Sequence, residues 1–281
     1  CGAGRGRLPA LAQRLSDATS VSAGCLKSVN VISEEILAEW HKWGVTSRPE
    51  KIQRIPGGLT NQNFLLCSDG VELLLRLNNK ATSLGIYREE ELTIHQQMAK
   101  AGLAPKLRYQ SAELNYWVRD FIPGESLNAA PSIDELRAIA QILASVHSQH
   151  PTINLHTLDV QAACSQYLAQ CDGNSEAVIR LKSELAKLAP LPAEEACLCH
   201  LDPLPANWLR DIAGKLWLLD WEYAAIAHPA LDYAALQLQL PENMQASFES
   251  FIPENFREVM PDARAQVQLL DRSWRLAHAS E

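Results

Sequence analysis

Cys199-His200-Leu201-Asp202-Pro203-Leu204-Pro205-Ala206-Asn207-Trp208 is followed by Leu216-Trp217-Leu218-Leu219-Asp220-Trp221-Glu222-Tyr223. Asp202, Asn207 and Asp220 each stand at the end of a short apolar run. Pro203 and Pro205 stiffen the first loop, and the turn residues between Asp211 and Lys215 predict a hairpin that returns Asp220 beside Asn207. Two carboxylates and an amide oxygen brought to one point are hard ligands, suited to Mg²⁺ rather than a soft metal. Phosphoryl transfer uses such a set: one carboxylate takes the proton of an attacking hydroxyl, while an amide and a second carboxylate hold the magnesium on the phosphates. The competing reading is a His and an Asp that merely fix a Pro-rich turn. The acid at the end of the second run has no capping role, which favours the chemical reading.

Upstream, the pattern has the period of a sheet. Ile52 to Ile55, Asn63 to Cys67 and Val71 to Leu77 read as strands, joined by Pro56-Gly57-Gly58 and Ser68-Asp69-Gly70, the latter a tight hairpin turn. A helix is expected from Tyr87 to Ala101, then strands Lys106 to Gln110 and Tyr116 to Ile122. A shorter helix opens at Ser33, with Glu34 and Glu35 in its first turn and a stop at Gly44. Beyond Pro123-Gly124 the pattern is mainly helical, beginning with the capping box Ser132 to Glu135 and the stripe Leu136, Ile139, Ala140, Leu143, Val146 and His147. The expected organisation is a poorly ordered leader (1–30), a β-rich N-terminal lobe (31–122) and an α-rich C-terminal lobe (123–281), which the resemblance drawn below makes the nucleotide-binding lobe and the catalytic and acceptor lobe.

In the N-terminal half, Gly57-Gly58-Leu59-Thr60-Asn61-Gln62-Asn63 is a glycine turn whose backbone N–H groups and small polar side chains suit phosphates, although a glycine pair also serves a plain hairpin. Arg76 interrupts the apolar strand Leu73 to Leu77. An exposed strand face would explain it, and so would an ion pair with Glu91 that sets the guanidinium on nucleotide phosphates.

The chain has 281 residues, 47% hydrophobic and 21% charged, and a net charge of -8. That balance leaves no global positive field for a nucleic acid or an anionic membrane, and no apolar run reaches the length of a bilayer span. The seven cysteines are scattered rather than framed for disulfides, which suits the cytoplasm. Cys197, Cys199 and His200 lie close together, but no second ligand pair accompanies them, and they read as strand packing. The leader carries four basic residues against one acid; a processed terminus with an acylated Cys1 is its other reading.

Taken in order, GGLTNQNF, LLLRLN, YREEELTIHQQMAKAGLAPKL, WVRDFIPGESL, CHLDPLPANWL and LLDWEYAAIAHPALDYAAL resemble the superfamily of aminoglycoside phosphotransferases and choline/ethanolamine kinases, and most of all the bacterial choline kinases. The resemblance implies an α+β, two-lobed protein-kinase-like fold: a small antiparallel-sheet N-lobe with one helix and a larger, mainly α-helical C-lobe, with ATP in the cleft. By motif, Asp202 is the catalytic base beside His200, Asn207 and Asp220 are magnesium ligands, and Arg76 stands for the strand lysine and pairs with Glu91. Gly57, Gly58, Thr60, Asn61 and Asn63 cover the phosphates, Asp120, Phe121 and Ile122 form the hinge that meets adenine, and Asp232 braces the catalytic loop through His200. The cofactors implied are ATP and Mg²⁺, in a monomer or homodimer.

For the acceptor, Glu222, Trp221 and Tyr223, with Trp274, offer acid and aromatic faces to a quaternary ammonium, although core packing explains the rings equally. Choline or ethanolamine leads; thiamine and an amino sugar or aminoglycoside follow. A nucleotide-binding pseudokinase with a regulatory role is the alternative of another class, disfavoured by retention of Asp202, Asn207 and Asp220. Relatives usually continue past Trp274 with helices that complete the acceptor pocket, so a trimmed gene product is expected.

Overall fold

The structure is a computed structural model that describes residues 32–56, 61–78, 85–127 and 131–278. The expected leader and the phosphate-turn residues Gly57, Gly58 and Thr60 lie outside these. The chain divides into two units, Cys1–Asn79 with Leu107–Phe121, and Lys80–Lys106 with Ile122–Glu281.

The first unit is an antiparallel sheet of β1 (Lys51–Ile55), β2 (Asn61–Ser68), β3 (Val71–Asn78), β4 (Leu107–Gln110) and β5 (Tyr116–Asp120) in the order β1-β2-β3-β5-β4. β2 and β3 are joined at Ser68↔Val71, so only Asp69 and Gly70 turn the chain, with φ of 48° and 77°. Glycine takes that conformation without a Cβ penalty. Alternation then sorts the side chains. Phe64, Leu66, Leu73, Leu75, Tyr116 and Val118 form one face and share a core with Ile32, Leu37 and Trp43, each large apolar side chain contributing about 1.5–3 kcal/mol by leaving water. Leu37 belongs to α1 (Glu34–Ala38), which Ser33 caps by accepting from Ile36 N–H at 3.3 Å. The opposite face carries Asn61, Asn63, Arg76, Asn78, Trp117 and Arg119.

In the second unit, α2 (Arg88–Lys100) contributes Ile94 and Met98 to the core that also holds Trp208, Trp221, Tyr233 and Phe248. Those two apolar positions, one helical turn apart, explain why a helix lying between β3 and β4 in sequence packs with this unit. α3 (Ile133–His147) starts with the expected capping box, Ser132 and Glu135 each accepting the other's backbone N–H. Around it stand α4 (Val160–Leu168), α5 (Glu176–Leu185), α6 (Ala230–Gln239), α7 (Glu242–Glu249) and α8 (Met260–Ala277). Two small sheets complete it: β6 (Gly124–Ser126), β8 (Trp208–Asp211) and β9 (Leu216–Leu218), and the pair β7 (Cys197–Cys199) with β10 (Ala225–Ala227). Among the described residues no helix is long and apolar enough to cross a membrane.

Candidate active site

Strand β7 delivers the chain to His200-Leu201-Asp202, and the turn is held from behind by α6. Asp232, in its first turn and fully buried, accepts from Leu201 N–H at 2.6 Å through Oδ1 and from His200 N–H at 2.9 Å through Oδ2. His147 Nε2 lies 2.9 Å from the same Oδ2. Burial alone would push the Asp232 carboxyl up; the bond and charge of His147 and the backbone bond from His200 overcome that and hold it below the usual carboxylate range. These charge-assisted bonds offset a local strain, since Leu201 sits at φ 65°, a left-handed conformation that costs a branched residue about 1–2 kcal/mol.

The brace reaches His200 through its backbone, because the imidazole is engaged elsewhere. Its Nε2 lies 2.9 Å from Leu219 C=O, and its Nδ1 lies 3.2 Å from Asp202 N–H. A carbonyl only accepts and an amide N–H only donates, so the proton belongs on Nε2 and the ring is neutral. Burial pushes its pKa down to about 4. The ring packs edge-on against Trp221, centroids 4.6 Å apart.

Asn207 closes the loop from the far end. Its Nδ2 donates to Asp202 C=O at 2.8 Å and to Asp202 Oδ2 at 2.7 Å, so Oδ1 is the ligand atom the amide retains. Trp208 Nε1–H donates to Pro203 C=O at 3.1 Å, and Leu219 N–H donates to Asn207 C=O at 2.9 Å. The hairpin of β8 and β9 thus carries Asp220 back toward Asn207, and Asp220 too is left-handed, at φ 64°. Asp202 is half-buried. Burial, then the charges of Asp220, Glu222 and Asp232, push its carboxyl well above the usual range against the lowering bond from Asn207.

Glu91, Asp220 and Glu222 place carboxylate oxygens within 4.8 Å of one another. Arg88 joins two of them, donating to Glu91 at 2.7 Å and to Glu222 at 3.1 Å. The donors are all oxygens, a set that fits a hard divalent cation, and Leu219, next to Asp220, is held to the Asn207 backbone carbonyl. From the sequence, Glu91 was expected only as the partner of Arg76 and not in this group. The i,i+3 spacing of Arg88 and Glu91 was the available signal; the contact of Arg88 with Glu222, 134 positions away, left none.

In the first unit, Asn61, Asn63 and Arg76 share a sheet face. Arg76 is buried, donates through Nε to Asn78 Oδ1 at 2.9 Å and lies 5.1 Å from the centre of the Trp117 ring. Arg119, on the same face, was not singled out in the sequence; burial and the charge of Arg76 lower its pKa to about 10. Asp120 accepts from Arg108 Nε at 2.6 Å, and its carbonyl accepts from Arg119 at 2.9 Å. Phe121 N–H donates to Glu72 C=O at 3.0 Å, and Ile122 begins the second unit's later segment.

The aromatic residues named for the acceptor differ in access. Trp221 is 0% exposed, with its indole N–H donating to Leu218 C=O at 3.3 Å, so its ring packs under the loop and presents no open face. Tyr223 is half-buried, and Trp274 stacks on His278 at 4.4 Å.

A sheet unit with a buried arginine row and a helical unit with a braced Asp-Asn-Asp loop define a kinase-like α+β fold. The chain belongs to the phosphotransferase enzyme family, whose model matches residues 51–270. It is 26% identical to Protein LicA of Haemophilus influenzae over 190 residues, which are 64% of this chain and 56% of that protein. In structure it is similar to choline kinase LicA of Streptococcus pneumoniae, at TM-score 0.71 and 20% identity over 88% of this chain and 90% of that one. A structure of LicA in complex with AMP gives TM-score 0.66 and 22% identity over 88% and 90%.

Proposed function

We propose that this chain is a cytoplasmic Mg²⁺-dependent kinase that transfers the γ-phosphate of ATP to the hydroxyl of a small cationic alcohol, choline or ethanolamine. The observation that carries the reading is the loop itself. Asp202 is anchored at its carboxylate by Asn207 and at its preceding backbone by Asp232. A turn that merely changed direction would not need two left-handed non-glycine residues, Leu201 and Asp220, beside its acids.

In this reading Asp202 orients the acceptor hydroxyl and takes its proton as the oxygen attacks the γ-phosphorus and the bond to the β-phosphate oxygen breaks, releasing ADP. His200 and Asp232 are positioning residues. Asn207 Oδ1 and Asp220, with Glu222 and Glu91 beside them, would hold Mg²⁺. The ion supplies positive charge to the phosphates and, by offsetting the carboxylates around Asp202, favours its anionic form. Asn61, Asn63 and Arg76, with the turn at Gly57, Gly58 and Thr60, are assigned to the phosphates; Asp120, Phe121 and Ile122 to adenine. The choice of a cationic alcohol rests on the likeness to LicA and on the carboxylate group around Glu222, to which Tyr223 adds an aromatic ring.

The test is Mg²⁺-dependent ADP release from ATP with choline, ethanolamine, thiamine, an amino sugar and an aminoglycoside in parallel, with Asp202→Asn as the blank. Stimulation by choline or ethanolamine that vanishes in the variant is expected. Stimulation by another of the five moves the acceptor and keeps the chemistry; silence with all five, alongside thermal stabilisation by ATP, sinks the kinase reading in favour of a nucleotide-binding pseudokinase.

A further inference from the structure

Behind the loop lies a second group of metal-ligating side chains that phosphoryl transfer does not use. His147 at the end of α3, Cys199 on β7 and Asp232 on α6 place Nε2, Sγ and a carboxylate oxygen within 4.8 Å of one another. Cys197 lies two residues along the same strand and so on the same face as Cys199, whose thiol donates to Ala227 C=O at 3.2 Å. The sequence shows only the two cysteines, with no second ligand pair. The fold supplies that pair from helices 50 or more positions upstream and about 30 positions downstream.

We propose that Cys197, Cys199, His147 and Asp232 form a binding site for one thiophilic divalent cation of the Zn²⁺ class, distinct from the oxygen-rich group at Asp220. The donor set decides the class: two sulfurs, an imidazole nitrogen and one carboxylate oxygen match tetrahedral zinc and are poor ligands for Mg²⁺. Three of the four side chains come from different elements of one packed core, so the site is substantially formed before an ion arrives. Cys197 is half-buried and is the donor that solvent reaches; Cys199 and Asp232 are fully buried. Binding expels both thiol protons and the proton on His147 Nε2 to solvent, leaving the imidazole neutral with its proton on Nδ1, the metal replacing the present Nε2 contact with Asp232 Oδ2.

The ion shares Asp232 with the turn that carries Asp202. A metal on Oδ2 draws electron density from the oxygen that accepts the His200 N–H, so occupancy loosens the brace and slows the proposed reaction. The site itself stands apart from that reaction, because metal binding is read without turnover.

The experiment titrates the chelator-stripped full chain with Zn²⁺ in excess Mg²⁺ against a chromophoric chelator. One zinc per chain is expected, with Cys197→Ser and Cys199→Ser each weakening binding by at least about 10–100-fold, the loss that even outer-shell partners of a metal cause. Cys171→Ser serves as the unaffected control. Cd²⁺ added to the unsubstituted chain should raise a cadmium–thiolate charge-transfer band, a readout that does not depend on any variant folding. No zinc retained against Mg²⁺, no cadmium band, or unchanged affinity in both serine variants overturns the site. In the ADP-release assay, zinc should inhibit the unsubstituted chain at concentrations that leave Cys197→Ser untouched; equal inhibition of both would assign the effect to the carboxylates at Asp220 and overturn the coupling.

Discussion

On the sheet of the first unit, Arg76 is placed by register. It pairs with Asn63 on one side and Trp117 on the other, and alternation alone puts it on the face away from Phe64 and Leu75. On the turn after β7, Asp202 is placed by a carboxylate thirty residues further on, by an amide five residues on and by a carbonyl at Leu219. The sheet spreads its ordering over many equivalent backbone bonds, so losing one side chain leaves the others in place. The turn concentrates it in a few buried polar groups, one of them holding the left-handed Leu201, so each is costly to lose. Substitutions on the turn are therefore expected to cost more than substitutions on the sheet.

The largest expected effect on turnover is that of Asp202→Asn. Asn207 can still bond the carbonyl of residue 202, so folding and nucleotide affinity should stay near the parent values while kcat falls roughly 10²–10⁴-fold. A rate within a few fold of the parent would remove Asp202 as base. Asp232→Ala should damage both properties. It strips two buried backbone N–H groups and His147 of their acceptor, at a cost of about 3–5 kcal/mol in urea unfolding, and turnover should drop with it. A stability loss near that of an ordinary surface substitution would show that the turn is held by something other than this brace.

The imidazole of His200 gives the comparison a pH axis. Unfolded, it protonates near 6.5; folded, it resists protonation down to about 4. Below pH 6.5 the unfolded chain therefore binds the extra proton first, and stability is lost as pH falls through this window, by about 2 kcal/mol between pH 6.5 and pH 5. Asp232, held below its usual range, adds a loss in the same direction at lower pH. Urea midpoints of the parent and His200→Asn, measured at the two pH values, should differ in slope; parallel behaviour would mean that folding leaves the proton affinity of His200 unchanged.

Two glycines test the sheets. Gly124→Ala would push a Cβ to 2.3 Å from the Arg210 carbonyl on β8, a backbone atom that cannot swing aside. Overpacking of that kind costs about 1–3 kcal/mol, and since β8 follows Asn207 directly, kcat should suffer with it. Gly70→Ala, in open space at φ 77°, should cost only the left-handed penalty of about 1 kcal/mol, with turnover unchanged. A Gly70→Ala variant with impaired turnover would contradict the view that the sheet distributes its ordering.

Much of the architecture was legible from residue order alone. The strands around Asp69-Gly70 follow from period-two alternation and a two-residue turn, and the Ser132 capping box marks α3 to the residue. The loop from His200 to Asn207 stands out because its polar groups are spaced by prolines. Less legible was the fate of Trp221: a tryptophan beside an acid suits both a cation-binding face and a core, and only its contacts with His200 and Leu218 place it in the core.

By itself the sequence determined the strands of the first unit, helices α1 to α3 and the polar residues of the loop, because alternation, capping and turn chemistry are local and act over a few residues. The tertiary structure alone decided that Asp232 spends both oxygens on the turn, that Arg88 ties Glu91 to Glu222, and that His147 and Asp232 stand beside Cys199. These partners lie tens to more than a hundred positions apart, and no local pattern specifies them. They meet because the apolar faces of α2, α3, α6 and β7 share one core, and the polar groups carried beside those faces must then find partners inside.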